Sequence, residues 1–295
     1  MNDPALFKRV ALIGLGLIGS SIARRVKRDG LAAEVVGCAP TETTRTRAME
    51  LGIVDRVSAD PAEAAACADL VILCSPVGSF GAIAEAIAPA LEPGAILTDT
   101  GSVKGAVIRD VQPHVPAGVH FIPGHPVSGT EHSGPDAGFA ELFDGRWCIL
   151  TPPKGTDENA IDRLAEFWRR AGSRVERMDA SHHDLVLAIT SHIPHLIAYN
   201  IVRTADDLET VTESEVIKYA AGGFRDFTRI AASDPVMWRD VFLSNRDAVL
   251  EVLARFSEDL AALQRAIRWG DGDTLLDLFE RTRAIRRGII DAGQA

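Results

Sequence analysis

At 295 residues the chain has room for two domains, and 46 % hydrophobic with 24 % charged residues is the balance of a globular protein with a sizeable core. A formal net charge of −10 argues against general binding to nucleic acid or to anionic membrane surfaces, though a local site can still be basic. The four cysteines, Cys38, Cys67, Cys74 and Cys148, lack metal-type pair spacing and read as free thiols of a reducing compartment. Residues Met1 to Lys8 carry no long apolar leader, and no run of about 18 apolar residues follows. The expectation is a cytoplasmic protein, complete as it stands, with no membrane and no nucleic acid among its partners.

Short apolar runs alternate with helical stretches through the first half. Val10–Ile13 reads as a strand, Ser20–Lys27 as a helix and Val35–Gly37 as a second strand. Leu70–Cys74 is apolar throughout, as a strand buried on both faces must be, and Ala95–Asp99, His120–Ile122 and Trp147–Leu150 are further strands. Strands separated by helices imply a parallel sheet covered on both sides. No good strand pattern follows Val175. Leu185–Ala205 reads as a helix that Pro194 kinks. Val241, Phe242, Val249, Val252, Leu253, Phe256, Leu260 and Leu263 mark one face of a long helix over Val236–Leu263, and Thr274–Ile290 forms a last helix. The fold class is therefore an α/β Rossmann-type N-terminal domain, residues 1–178, followed by an all-α C-terminal domain, residues 179–295, whose long helix suits either a dimer interface or packing within the chain.

Gly14-Leu15-Gly16-Leu17-Ile18-Gly19 fits G-x-G-x-x-G between the first strand and the first helix. In that context it marks a dinucleotide site: one glycine for the tight turn, one for close approach of the diphosphate to the helix N-terminus, one for helix–strand packing. Gly14, Gly16, Leu17, Ile18 and Gly19 are thus the candidate cofactor cradle. An acidic residue for the ribose hydroxyl belongs about 20 residues further on, where Cys38, Ala39 and Pro40 stand. Thr41, Thr43, Thr44, Arg45 and Arg47 crowd the same loop, so Thr41 and Arg45 are candidates for the adenosine end, with NAD the first choice and NADP open. Ser75, Pro76 and Val77 end the apolar strand and should line the crevice, as should Gly101.

The run Gly124-His125-Pro126-Val127-Ser128-Gly129-Thr130-Glu131-His132 holds a titratable imidazole among helix and strand breakers, and reads as an ordered loop carrying polar chemistry. An imidazole near its ordinary pKa suits proton abstraction at neutral pH, and beside a dinucleotide site it points to hydride transfer. His192 and His195, three apart on one helix, read on spacing alone as core or capping groups; His114, His132, His182 and His183 read as surface residues. Arg225 and Arg229, four apart, and Asp226 have solvated helix charges as their default reading, and Trp238 a place in the core.

Taken in order, the glycine motif, Asp99-Thr100-Gly101-Ser102-Val103-Lys104, the His125 run, Ser191-His192-Ile193-Pro194-His195 and Gly222–Ala231 with Pro235–Asp240 resemble the prephenate/arogenate dehydrogenase family from Val10 to about Arg287. The resemblance implies oxidative decarboxylation of a cyclohexadienyl substrate. His125 takes the proton of the ring hydroxyl, Ser102 hydrogen-bonds near that hydroxyl and the nicotinamide, and Arg229 binds the ring carboxylate. His195 contacts the substrate, and Glu131, Thr130, Arg225, Asp226 and Trp238 surround it. The family often has lysine where Arg225 stands. The chemistry asks for no metal, and arginine offers a dianionic substrate a bidentate partner. The length leaves no room for a fused chorismate mutase or ligand-binding module, so feedback inhibition through one is not expected. Of two competing readings, a β-hydroxyacid dehydrogenase would use a helix lysine, yet only Lys218 follows Lys154. A nicotinamide-binding sensor would have no use for His125 and Arg229. Prephenate against arogenate is undecided at this level.

Overall fold

The computed structural model describes residues 4–130, 132–212 and 221–291. Two compact units are present, Met1–Arg246 and Asp247–Ala295.

The first unit is built on β1 (Phe7–Ile13), α1 (Leu17–Asp29), β2 (Ala32–Cys38), α2 (Glu42–Glu50), β3 (Arg56–Ser58), α3 (Pro61–Ala65), β4 (Leu70–Leu73), α4 (Phe80–Ile87), β5 (Ile96–Asp99), α5 (Gly105–Val111) and β6 (His120–Phe121). The six strands are parallel in the order β3-β2-β1-β4-β5-β6. The order reverses between β1 and β4, which opens a crevice beyond their C-terminal ends. The strands are apolar on consecutive residues because both faces are covered. Val10, Leu12, Leu70 and Ile72 pack with Ile22 and Val26 of α1. Ala11, Ile13, Val71 and Leu73 pack on the other face with Phe80, Ala84 and Val107.

Three short strands the sequence pattern does not mark are β3, β7 (Gly124–Pro126) and β9 (Arg174–Arg177). β7, β8 (Trp147–Leu150) and β9 form a separate sheet, β7 antiparallel and β9 parallel to β8. So β8 leaves the parallel sheet, and the His125 run is not a loop throughout: His125 pairs with Ile149. Pro126 is compatible with a strand there because β7 lies at the edge, where a missing N–H breaks no ladder. α6 (Glu158–Arg170) crosses from β8 to β9 and seats Phe167 and Trp168 against Phe7 and Phe143 with ring centroids 5.5–5.9 Å apart.

Helices follow: α7 (Ala180–Leu187), α8 (Ile193–Thr212), α9 (Gly222–Thr228) and α10 (Pro235–Ser244). Between α7 and α8, Ala188–His192 is a π-turn, the Ile193 N–H reaching back to the Ala188 carbonyl. Pro194 therefore stands in the first turn of α8, where its missing N–H is not needed, and the irregularity precedes it. Residues 180–208 are long and apolar enough to cross a membrane by length and composition alone; their positions His183, Asp184, Leu187, Ala188, His192 and Ala198 are packed inside the first unit.

The single helix expected over Val236–Leu263 is two. α10 stops at Asn245, a buried residue with φ −106° and ψ 31°, and α11 (Arg246–Trp269) starts anew. Apolar spacing continues across the stop, which hides it from a periodicity argument. In the second unit α11 is followed by a turn at Gly270, φ +67°, and α12 (Gly272–Asp291). Both expose large apolar side chains, among them Leu260 at 54 %, Ile267 at 67 % and Phe279 at 55 %.

The turn from β1 to α1 assigns each motif glycine a separate reason. Gly14 has φ +115°, and a Cβ there would lie 2.7 Å from the Cys74–Ser75 backbone; a Cβ on Gly19 would lie 2.0 Å from the Gly14 carbonyl oxygen. Gly16, the N-cap of α1, has nothing within 4 Å of that position. Gly19→Ala is expected to cost about 1–3 kcal/mol or more by overpacking, and Gly16→Ala under about 1 kcal/mol. Urea denaturation of both variants measures the difference, and equal midpoints would contradict this division of roles.

Candidate active site

Asp184, on α7, joins the helices to the sheet. Its carboxylate accepts the backbone N–H of Lys104 at 2.7 Å and of Gly105 at 2.8 Å, so it fixes the chain at the start of α5. Its carbonyl accepts from the Asn245 amide at 2.8 Å, and the same amide donates to His192 Nδ1 at 3.1 Å. Asn245 thus ends α10 against α7 and the π-turn.

Lys104 itself is completely buried. Its ammonium pairs with Asp99, also completely buried, and donates to the Gly124 carbonyl at 2.6 Å. Asp99 accepts the N–H groups of Gly101 at 2.8 Å and Gly124 at 3.1 Å. Burial pushes the carboxyl up and the amine down; their mutual attraction and these backbone bonds oppose it. The clasp ties the end of β5, the loop after it and β7, and thereby places His125.

His125 is 6 % exposed. Its Nδ1 lies 2.8 Å from His183 Nε2, and His183 Nδ1 lies 2.8 Å from Asp184 Oδ1. Desolvation, helped by His183, Lys104 and His192, holds His125 well below 6.5. Desolvation also lowers His183, and takes His192 down to about 4. Burial alone would raise Asp184; the His183 hydrogen bond and the two backbone N–H groups outweigh it and keep the carboxyl below its ordinary value. His195 donates Nδ1–H to the Ser191 carbonyl at 2.9 Å and stacks on Trp238, centroids 3.7 Å apart. Burial lowers it, with Arg229 acting in the same direction. Electrostatics thus link His125, His183, His192, His195 and Arg229 in series.

Several candidates meet in this arrangement: His125, His195, Trp238, and Ser102, half-buried in the loop whose backbone acts on His192; Arg229 is exposed and reaches it through its charge effect on His195. Trp238 is at once core and partner to the site, packed in the apolar cluster under α4 and α5. Arg225 and Asp226 are exposed and face each other at 3.5 Å. Thr130 is exposed and accepts the His132 N–H at 3.3 Å. Glu131 and Lys218 lie outside the described residues. His132 and His182 are exposed as expected, but His183 is fully buried and central. Its signal is its spacing: His183 and the apolar Leu187 are four apart on the buried face of α7.

At the crevice, Gly14, Gly16, Leu17, Ile18 and Gly19 surround the N-terminus of α1, whose first turn has no acidic side chain and whose N-cap receives no side-chain bond. Open space at Gly16 and free helix N–H groups fit a diphosphate. Ser75 bonds Ser79 at 2.8 Å, Pro76 is exposed, and Val77 packs on Gly101. Thr41 is the N-cap of α2, accepting from the Thr44 N–H. Arg45 donates to the carbonyls of Ala39 and Pro40 at 2.7 and 2.8 Å, and Arg47 grips Asp136.

An unfolded chain binds protons at the three buried histidines near 6.5, whereas the folded protein resists them. Their contribution is therefore fully present above that pH and is lost on acidification, through about 4 for His192; Asp184 adds a further loss at lower pH. Each buried histidine steepens the fall by up to about 1.4 kcal/mol per pH unit. The urea midpoint is expected to drop between about pH 7.5 and about pH 5; an unchanged midpoint would contradict neutral burial of these rings.

Residues 22–177 match the family model described as prephenate dehydrogenase, nucleotide-binding domain, and residues 179–281 that described as prephenate dehydrogenase, dimerization domain. The chain is 46 % identical to the cyclohexadienyl dehydrogenase of Zymomonas mobilis over 284 residues, 96 % of this chain and 97 % of that one. It is similar to the crystal structure of prephenate dehydrogenase from Aquifex aeolicus in complex with hydroxyphenyl propionate and NAD+, with TM-score 0.89 and 34 % identity over 96 % of this chain and 98 % of that one. Synechocystis arogenate dehydrogenase aligns with TM-score 0.79 and 27 % identity over 95 % of this chain and 99 % of that one. With both domains matched and a relative at this identity end to end, the chain belongs to the prephenate dehydrogenase family.

Proposed function

We propose that the protein oxidatively decarboxylates prephenate, arogenate or both, giving 4-hydroxyphenylpyruvate or tyrosine, with NAD as hydride acceptor, in cytoplasmic tyrosine biosynthesis. The observation that carries the reading is the buried, neutral His125 in the first unit, which also holds the glycine cradle of Gly14, Gly16 and Gly19. NAD, when bound, supplies oxidation by accepting hydride from the hydroxyl-bearing ring carbon. His125 Nε2 takes the hydroxyl proton in the same oxidation, and Ser102 orients that hydroxyl. Arg229 holds the ring carboxylate as a charge-assisted pair until the bond to it breaks. Carbon dioxide leaves because the new ring ketone is conjugated to the carbon that carries the carboxylate: the electron pair of the broken bond passes to the ring oxygen, which recovers the proton held by His125, and aromatisation makes the loss downhill.

His195, its plane fixed by Trp238, offers Nε2 as an acceptor to the substrate. Thr130, Glu131, Arg225 and Asp226 complete the surroundings in this reading. NAD is favoured over NADP because Arg45 is engaged by its own loop carbonyls and Arg47 by Asp136. The domain border is set at residue 178, with residues 179–295 binding substrate and forming a homodimer; the exposed apolar side chains of α11 and α12 supply the surface such a dimer needs.

Incubation with prephenate and NAD is expected to give reduced cofactor and 4-hydroxyphenylpyruvate. Absence of turnover with either cyclohexadienyl substrate and either cofactor would overturn the assignment. His125→Asn is expected to lower kcat about 10²–10⁴-fold with cofactor affinity retained. Arg229→Ala is expected to raise KM; an unchanged KM would place the carboxylate elsewhere.

A further inference from the structure

Two histidines and a carboxylate in a buried line admit only some proton arrangements. The backbone N–H groups of Lys104 and Gly105 can only donate, and they occupy both oxygens of Asp184. The carboxylate is therefore an acceptor, and the proton in its contact with the neighbouring ring sits on His183 Nδ1. A neutral His183 then has a bare lone pair on Nε2. That nitrogen lies 2.8 Å from His125 Nδ1, which must donate to it.

We propose that His183, set by Asp184, is a positioning residue that fixes the tautomer of His125, so that the proton resides on Nδ1 and the Nε2 lone pair is presented to the substrate hydroxyl. The proposal rests on the reading of His125 as the base. When that hydroxyl gives its proton to Nε2, His125 becomes an imidazolium whose Nδ1–H still points at His183 Nε2. No second proton moves, and the charge is met by an acceptor polarised by a carboxylate, the logic of a base oriented by a third group. The buried position of all three side chains makes the arrangement effective, since water cannot substitute for His183 at Nδ1. Lys104 contributes by holding the Gly124 carbonyl, which keeps the His125 backbone in β7.

The test uses His183→Leu, His183→Gln and the wild type, with ring nitrogens of histidine labelled with ¹⁵N and His125 assigned through His125→Asn. In the wild type the His125 signals should show a protonated Nδ1 and an unprotonated Nε2. His183→Gln retains an acceptor carbonyl and should keep that pattern, with kcat within about tenfold of wild type. His183→Leu has no acceptor; it should lose the pattern and drop kcat about 10²–10⁴-fold with KM little changed, the range for a base in the wrong tautomer. A His183→Leu enzyme with wild-type kcat and an unaltered His125 signal, beside an inactive His125→Asn, overturns this proposal and leaves the base assignment standing. An active His125→Asn overturns the base assignment itself. Equal losses in His183→Gln and His183→Leu with the wild-type His125 signal in both would show a packing role and also overturn the proposal.

Discussion

The Asp184 carboxylate is the constraint on which the site depends. It receives two backbone N–H groups from the loop after β5 and one ring N–H from its own helix, and its carbonyl holds Asn245. Through these bonds the start of α5, the helix α7 and the end of α10 share one anchor. Such an anchor is costly to break, because removing the acceptor strands several buried donors at once. It also brings together segments far apart in sequence, which spacing arguments cannot foresee.

Around that anchor, burial sets the chemistry. The Lys104–Asp99 pair contributes little net stability, since taking two charges out of water costs about what their attraction returns. Its contribution is positional: the ammonium holds the carbonyl of Gly124 while the carboxylate holds the N–H of the same residue. It is electrostatic as well, because a fixed positive charge near His125 disfavours the imidazolium in the resting protein. The resting ring is thus neutral and available as a base, and the same desolvation makes the fold sensitive to acid.

The parts of the fold legible in the sequence are those governed by local rules. Leu70–Leu73 is apolar throughout because both faces are covered, and Gly14 and Gly19 are glycine because a Cβ would collide with backbone. His125 stood out by its chemistry, but its strand did not: Gly and Pro at an edge position break the pattern without breaking the ladder. His183 reads as a surface residue beside His182, and only its spacing of four from the apolar Leu187 marks it as the one that faces inward. The stop at Asn245 was invisible because apolar spacing runs through it, while its cause is a tertiary hydrogen bond to Asp184. Propensity and periodicity cannot register such a bond.

The central claim is that a buried neutral His125 is the working base. It is tested most directly by the pH dependence of kcat/KM for prephenate at saturating NAD, which reports the groups of the substrate-free enzyme. Desolvation, helped by the charge effects of His183, Lys104 and His192, holds the ring well below 6.5. The base form is therefore present through neutrality, and kcat/KM should fall on the acid side with an inflection below 6.5 that disappears in His125→Asn. An acid limb centred at or above 6.5, or one that persists in His125→Asn, would contradict it.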